Sequence, residues 1–258
     1  MNWKLFCHLF ASTSDFWQTT AVRRRSEYLT LLDHVDGTTR ADKMVSSAMI
    51  QNIKALVGED VVVSSEEDIR DVSTGFVIDP IDGSWNYKYD YPACCRVVSY
   101  LENSQVKFFA IFNIADGHCV CSNGTDFFHN SQYYTLNDKD ISPLVAVMYN
   151  THYRKHIKQQ WLECLTQLTL SDLNIRVSGS PSFDLYGLLT GQMGGIINLS
   201  PHAFDAQPII ACLANSSHVV LRKINNSQGG YGYFVGRPAV VKKWDLVMEN
   251  NDEKNRHC

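Results

Sequence analysis

No Cys-x-x-Cys pair occurs in this chain, and its eight cysteines (Cys7, Cys94, Cys95, Cys119, Cys121, Cys164, Cys212 and Cys258) have no framework spacing. That excludes a disulfide-stapled scaffold and a zinc ribbon, and it leaves the thiols as reduced, mostly buried residues of a cytoplasmic protein. Long apolar runs are missing too. None approaches the ~18–20 residues of a membrane span. The apolar start, Met1 to Phe10, is short and interrupted by Lys4 and His8, which argues against an export signal. The expected protein is soluble and has no membrane partner. Basic excess is also absent. The formal net charge is −4, and the one basic cluster, Arg23-Arg24-Arg25, reads as a solvated helix face, so a nucleic acid polymer is not the expected partner. There is no internal repeat and no low-complexity segment.

What is present is ordinary globular composition, 45% hydrophobic and 19% charged over 258 residues, which is enough chain for one large domain or two subdomains with a sizeable core. Apolar residues recur at helical spacing in Trp3, Phe6, Leu9 and Phe10, and again in Val22, Tyr28, Leu29, Leu31 and Leu32. A third helical stripe, Val45, Ala48, Met49, Ile53 and Leu56, starts near Asp42. Alternating strands are expected over Arg96 to Leu101, Val106 to Ile114 and His118 to Ser122, an antiparallel meander with Asn and Gly at its turns. Beyond Pro143, strand and helix alternate as in α/β layering. The division is residues 1–140, an α+β subdomain, and 141–258, an α/β subdomain.

Chemistry concentrates in Thr74-Gly75-Phe76-Val77-Ile78-Asp79-Pro80-Ile81-Asp82-Gly83-Ser84-Trp85-Asn86-Tyr87. Phe76 to Ile78 read as a short buried strand that Pro80 and Gly83 stop, so Asp79 and Asp82 project from irregular backbone. Irregular backbone leaves carbonyls unpaired, and Ile81 offers one between the two carboxylates. Two acids, a carbonyl and the Ser84 hydroxyl make the beginnings of a hard-cation site. Asp-Pro and Asp-Gly are equally common turn dipeptides, so acids elsewhere must decide between the readings. Val61-Val62-Val63 runs into Glu66-Glu67, a second strand tip ending in acids. Ala203-Phe204-Asp205 opens an apolar helical pattern, where an aspartate serves either as a cap or as a ligand. Gly179-Ser180-Pro181 begins another helix, and Ile196-Ile197-Asn198-Leu199 is a strand.

Glu66-Glu67, then Asp79-Pro80-Ile81-Asp82-Gly83-Ser84-Trp85-Asn86-Tyr87, then Phe204-Asp205, in that order, resembles the inositol monophosphatase family of magnesium-dependent, lithium-sensitive phosphatases. The similarity extends to Thr39-Arg40-Ala41-Asp42, to Ile175 through Ser180 and to Gly191 through Gly195. It implies a layered αβαβα sandwich of the sugar-phosphatase type, with two subdomains sharing one active site. It also implies hydrolysis of a small phosphorylated substrate, two or three Mg²⁺ ions and a homodimer. Glu66, Asp79 and the Ile81 carbonyl would hold the first ion, and Asp79, Asp82 and Asp205 the second. Water would be the nucleophile, oriented by Ser84 paired with Asp42, and Gly83, Ser84, Gly179, Ser180 and Asn198 would face the substrate. Asn198 stands where inositol-cleaving members carry a glutamate, and Phe204 to Pro208 depart from the family's pattern. Two functions follow: a working phosphatase on a polyol, sugar or nucleotide phosphate, or a non-catalytic member that binds a ligand or partner.

Overall fold

The computed structural model describes residues 1–10, 16–17, 28–32, 38–136, 141–148, 154–171, 173–199, 204, 206–214, 216–225 and 231–245. Its first sheet has seven strands in sequential order. The β-branched run before Glu66 becomes β1 (Val63–Ser65), which pairs in parallel with β2 (Gly75–Asp82). From β2 onward the sheet is antiparallel: β3 (Cys95–Glu102), β4 (Gln105–Asn113), β5 (Cys119–Ser122), β6 (Phe127–His129) and β7 (Gln132–Tyr134). Two of the hairpins turn on Asn-Ser pairs. Asn103 and Ser104 have φ of 53° and 60°, and Asn130 and Ser131 have 49° and 67°. Positive φ at both central residues is what a two-residue hairpin loop needs to match the right-handed strand twist.

Period-two alternation in this sheet feeds two different cores. Val98, Tyr100, Ala110, Cys119 and Cys121 face one side, where they meet Phe6 and Phe10 of α1 (Trp3–Phe10) and Val45, Met49 and Ile53 of α2 (Arg40–Val57). Cys95, Val97, Phe109, Ile111 and Val120 face the other, against Leu185, Leu188 and Leu189 of α5 (Pro181–Leu189) and Ile209, Ile210 and Leu213 of α6 (Ala206–Leu213). Each fully buried Met49- or Ile53-sized side chain contributes roughly 1.5–3 kcal/mol, so the α2 stripe alone outweighs the net effect of many surface contacts.

The second sheet has five strands in the order β11-β12-β10-β8-β9. β10 (Gly195–Asn198), β8 (Leu144–Val147) and β9 (Asn174–Arg176) are parallel, β12 (Tyr231–Gly236) pairs antiparallel with β10, and β11 (Val220–Asn225) pairs antiparallel with β12 at the edge. Ala146, Ile196 and Val235 pack on the α5–α6 side. Val145, Val147, Ile197 and Phe234 pack on the opposite side against α4 (Arg154–Leu170) and the helix α7 over 238–245. The result is helix, sheet, helix, sheet, helix, the expected αβαβα sandwich.

Three local expectations are corrected. The strand through Phe76 does not stop at Pro80 but continues to Asp82, with a register shift between Asp79 and Asp82 that leaves Pro80 and Ile81 opposite Arg96. A bulge accommodates the missing proline donor without ending the pairing. Residues 28–32 are not helical. Leu31 pairs antiparallel with Thr39, the Leu32 amide donates to the Thr38 carbonyl at 2.7 Å and the Ala41 amide to Tyr28 at 2.9 Å. This antiparallel pairing across eight residues prevails over apolar periodicity. A short helix α3 (Ser84–Lys88), absent from the sequence reading, follows Gly83. Cys94, Cys95, Cys119, Cys121, Cys164 and Cys212 are buried free thiols, and among the described residues no helix is long and apolar enough to cross a membrane.

Candidate active site

Parallel pairing of Ser65 with Ile78 brings the tips of β1 and β2 together, so Glu66 leaves its strand beside Asp79, and its amide donates to the Ile78 carbonyl at 3.4 Å. Glu66 itself is exposed, whereas Asp79 and Asp82 are only 4% and 7% exposed. Asp79 Oδ1 accepts the Ile81 amide at 3.1 Å, a local side-chain turn that fixes the bulge. The two aspartates therefore occupy the same strand end without being adjacent in its pleat.

Gly83 then reverses the chain with φ 87° and ψ 42°. A Cβ there would meet the Ala93 carbonyl at 2.8 Å and Ser180 Cβ at 3.0 Å, so no side chain fits and the backbone favours glycine. The turn delivers Ser84 to the first position of α3. Its hydroxyl lies 2.6 Å from Asp42 Oδ1 and 2.9 Å from the Ile81 carbonyl, and its single proton serves one of them at a time. Asp42 is buried, and its other oxygen accepts both the amide and the hydroxyl of Thr39 at 2.7 Å. That is a capping box at the start of α2. Its two oxygens thus divide between the helix cap and the Ser84 hydroxyl. Burial raises the Asp42 pKa, opposed by the hydrogen bonds from Ser84 and Thr39.

On the far side of Gly83, Asp82 Oδ2 accepts the Ser180 hydroxyl at 2.8 Å and the Ser182 amide. Ser180 caps α5, and Gly179 before it has φ 78°. Burial pushes Asp82 up to about 6, against the hydrogen bonds from Ser182 and Ser180 that favour its charge. Asn86 fastens the two loops, donating to the Ala93 carbonyl at 2.7 Å and to the Ser178 carbonyl at 2.8 Å. Asn198 ends β10 in the second sheet, buried, opposite Tyr233. Asp205 lies outside the described residues. Among those described, no three carboxylate, imidazole or thiol groups form a cage ready for a metal ion.

The structure also brings in residues that the sequence reading passed over. Ser182 lends its amide to Asp82, and Asp184, two positions on, is 2% exposed with Oδ1 lacking a hydrogen-bond partner. Burial, opposed by a hydrogen bond from Ser178 and reinforced by the neighbouring Asp82 charge, pushes Asp184 up to about 8. One signal was available: Asp184 is the lone charge in an otherwise apolar helical stretch, Phe183 to Leu189.

The site can thus present a hydroxyl with a carboxylate partner beside two further buried carboxylates. Residues 18–215 match the model of the inositol monophosphatase family. Human inositol monophosphatase 1 is 23% identical over 195 residues, which cover 72% of this chain and 70% of that protein. The Saccharomyces cerevisiae inositol monophosphatase 1 is 33% identical over 128 residues, 44% of this chain and 43% of that one. In fold, the extragenic suppressor protein SuhB of Bartonella henselae superposes with a TM-score of 0.73 over 95% of this chain and 97% of its own, at 13% identity. The Anabaena inositol monophosphatase does so with a TM-score of 0.67 at 19% identity, covering 81% and 86% of the two chains. Family model, fold and the order of motifs agree: the chain belongs to the inositol monophosphatase family.

Proposed function

We propose that this protein is a cytoplasmic, magnesium-dependent phosphomonoesterase acting on a small phosphorylated polyol, sugar or nucleotide. The observation that carries the reading is the Ser84 hydroxyl, 2.6 Å from Asp42, at the strand end that also holds Asp79 and Asp82. The donors are oxygens throughout: Glu66, Asp79, Asp82, the Ile81 carbonyl and, from the sequence, Asp205. Oxygen sets suit magnesium rather than zinc or copper. Asp82 fits a cation for a second reason. It is buried with hydrogen bonds and no ion pair among the described residues, a position in which an added positive charge offsets the desolvation that now raises its pKa.

When bound, magnesium supplies charge neutralisation at the phosphoryl oxygens and a more acidic water. The chain's residues do the rest. Asp42, fixed by Thr39, accepts a hydrogen bond from the Ser84 hydroxyl. The Ser84 oxygen then has lone pairs free to accept a hydrogen bond from water and orient it for in-line attack. Gly83 and Gly179 keep both loops low enough for the phosphoryl group to approach backbone, and Ser180 holds Asp82 in place. The Asn198 amide offers a donor and an acceptor to the leaving group, where a carboxylate would offer acceptors alone.

The test is a phosphatase screen over inositol phosphates, fructose bisphosphate, histidinol phosphate and a nucleoside bisphosphate with magnesium present. Asp79→Asn is expected to abolish nearly all activity and leave the circular dichroism spectrum unchanged. Full activity in excess chelator overturns the metal mechanism. Inhibition by lithium and a homodimer in sedimentation are expected on family membership alone.

A further inference from the structure

Glu66 is exposed, so core packing does not fix where its carboxylate stands, and the backbone at the tip of β1 has to do so. That backbone is a tight turn. The Ser65 amide donates to the Asp68 carbonyl at 3.1 Å and the Asp68 amide returns to the Ser65 carbonyl at 3.0 Å, with Glu66 and Glu67 as the two central residues. Beneath the turn lies a pair of hydroxyls. Ser46 of α2 donates to Ser65 Oγ at 2.7 Å, and the same oxygen accepts the Glu67 amide at 3.3 Å. Two donors fill both lone pairs of that oxygen.

Ser46 and Ser65 are 3% and 0% exposed, at a contact between α2 and β1 where Val45, Met49 and Val63 belong to one apolar core. Apolar side chains would fill this place with no hydroxyl to desolvate, and a buried hydroxyl pair adds little net stability over them. What the pair adds is direction. Asp42 stands one helical turn before Ser46, at i and i+4 on the same buried face of α2. Asp42 Oδ1 holds the Ser84 hydroxyl at 2.6 Å. One helix face therefore reaches both the Ser84 hydroxyl and, through Ser46 and Ser65, the turn that carries Glu66.

We propose that Ser46 and Ser65 are positioning residues, a buried hydroxyl brace that sets the Glu66 turn against Asp42 and Ser84 and so tightens the hold of Glu66 on its metal ion. The brace rests on the metal chemistry proposed above. It acts through the Glu67 amide and the turn backbone, and neither serine is a ligand itself. Groups that orient a ligand from behind change metal affinity by roughly ten- to hundredfold when they are removed.

The probe is Mn²⁺, which shares magnesium's preference for oxygen donors, titrated calorimetrically into the metal-free full chain. Ser65→Ala is expected to weaken one class of site by at least about tenfold. Ser46→Ala, in which alanine suits the helix, should weaken the same class by less, and it decides the matter if Ser65→Ala does not fold. Ser99→Ala is the control: it removes a fully buried serine hydroxyl from β3 that makes no hydrogen bond among the described residues, and Mn²⁺ affinity should stay at the wild-type value. In a Glu66→Gln background, Ser65→Ala should cost no further affinity, because the ligand it places is already lost. Equal Mn²⁺ affinity in wild type and the folded serine variant overturns the brace and leaves the hydroxyl pair as packing. A further loss in the Glu66→Gln background overturns it as well, since the serine would then act through another group. Failure of the wild type to bind Mn²⁺ would overturn the metal reading of the whole site, and the brace with it.

Discussion

Asp42 and Asp184 are both buried aspartates in the first turn of a helix, and both lie within one side chain of the central loop, yet the fold treats them differently. Asp42 accepts three hydrogen bonds, two from Thr39 at 2.7 Å and one from Ser84 at 2.6 Å, so both of its oxygens are engaged. Asp184 keeps one oxygen without a hydrogen-bond partner and sits in the field of Asp82. Burial raises both pKa values, and the hydrogen bonds oppose it more fully at Asp42. A carboxylate that accepts several hydrogen bonds is held ionised by its donors. A carboxylate short of such donors is stable in an apolar place only as the acid.

The largest break in this contrast is Asp42→Asn. The amide oxygen can still accept from Thr39 and cap α2, but the group facing Ser84 is then an NH2, which donates and cannot accept the hydroxyl's hydrogen bond. A loss of about two to three orders of magnitude in kcat is expected, the scale of removing one preorganised polar group from a reacting centre. KM should move little. Unfolding should show less than about 1 kcal/mol of destabilisation, because the cap survives. A kcat within threefold of wild type would remove Asp42 from the chemistry and leave it as a cap.

Asp184→Asn is expected to act on stability instead, and its sign follows from the raised pKa. The folded-state value of about 8 lies above the ordinary 3.8. The stability carried by the protonated acid is therefore fully present below pH ~4 and is lost progressively as pH rises through 8. In metal-free protein the wild type should lose on the order of 2 kcal/mol more than Asp184→Asn between pH 5 and pH 9. A rigid site would lose more, ~1.4 kcal/mol for every tenfold change in proton affinity, but buried sites relax. Urea denaturation at both pH values measures it. Parallel pH profiles for the two proteins would show that Asp184 is not the group that titrates.

How much of this was legible beforehand depends on distance along the chain. Asp79-Pro80-Ile81-Asp82-Gly83-Ser84 announces itself because proline and glycine punctuate it and the acids flank them, and the meander from β3 to β5 shows in period-two alternation broken at Asn103 and Gly117. The pairing of Leu31 with Thr39 was hidden, since helical periodicity spans three or four residues and this pairing spans eight with no alternating pattern to mark it. The helix Ser84–Lys88 is too short to show a period. Continuation of β2 through Pro80 depends on a bulge that only the partner strand reveals. Asp184 was missed for the same reason: its burial and its exposure to the Asp82 charge arise from packing between residues about a hundred positions apart.

The smallest expected effect belongs to Ser84→Thr, and it sharpens the comparison by separating the hydroxyl from its surroundings. Ser84 is partly exposed, so an added methyl has solvent on one side, while the Oγ must keep the rotamer that reaches Asp42. Threonine in a helix divides between two rotamers, one of which suits a hydroxyl bonded elsewhere. The hydrogen bond to Asp42 selects between them at a cost of a few tenths of a kcal/mol, so kcat within about threefold of wild type is expected. Ser84→Ala, by contrast, should fall to the level of Asp42→Asn, and the double substitution should be no worse than either single one, because both remove the same interaction. If the two losses multiplied instead, Ser84 and Asp42 would be acting on the reaction separately, and the 2.6 Å contact between them would be structural.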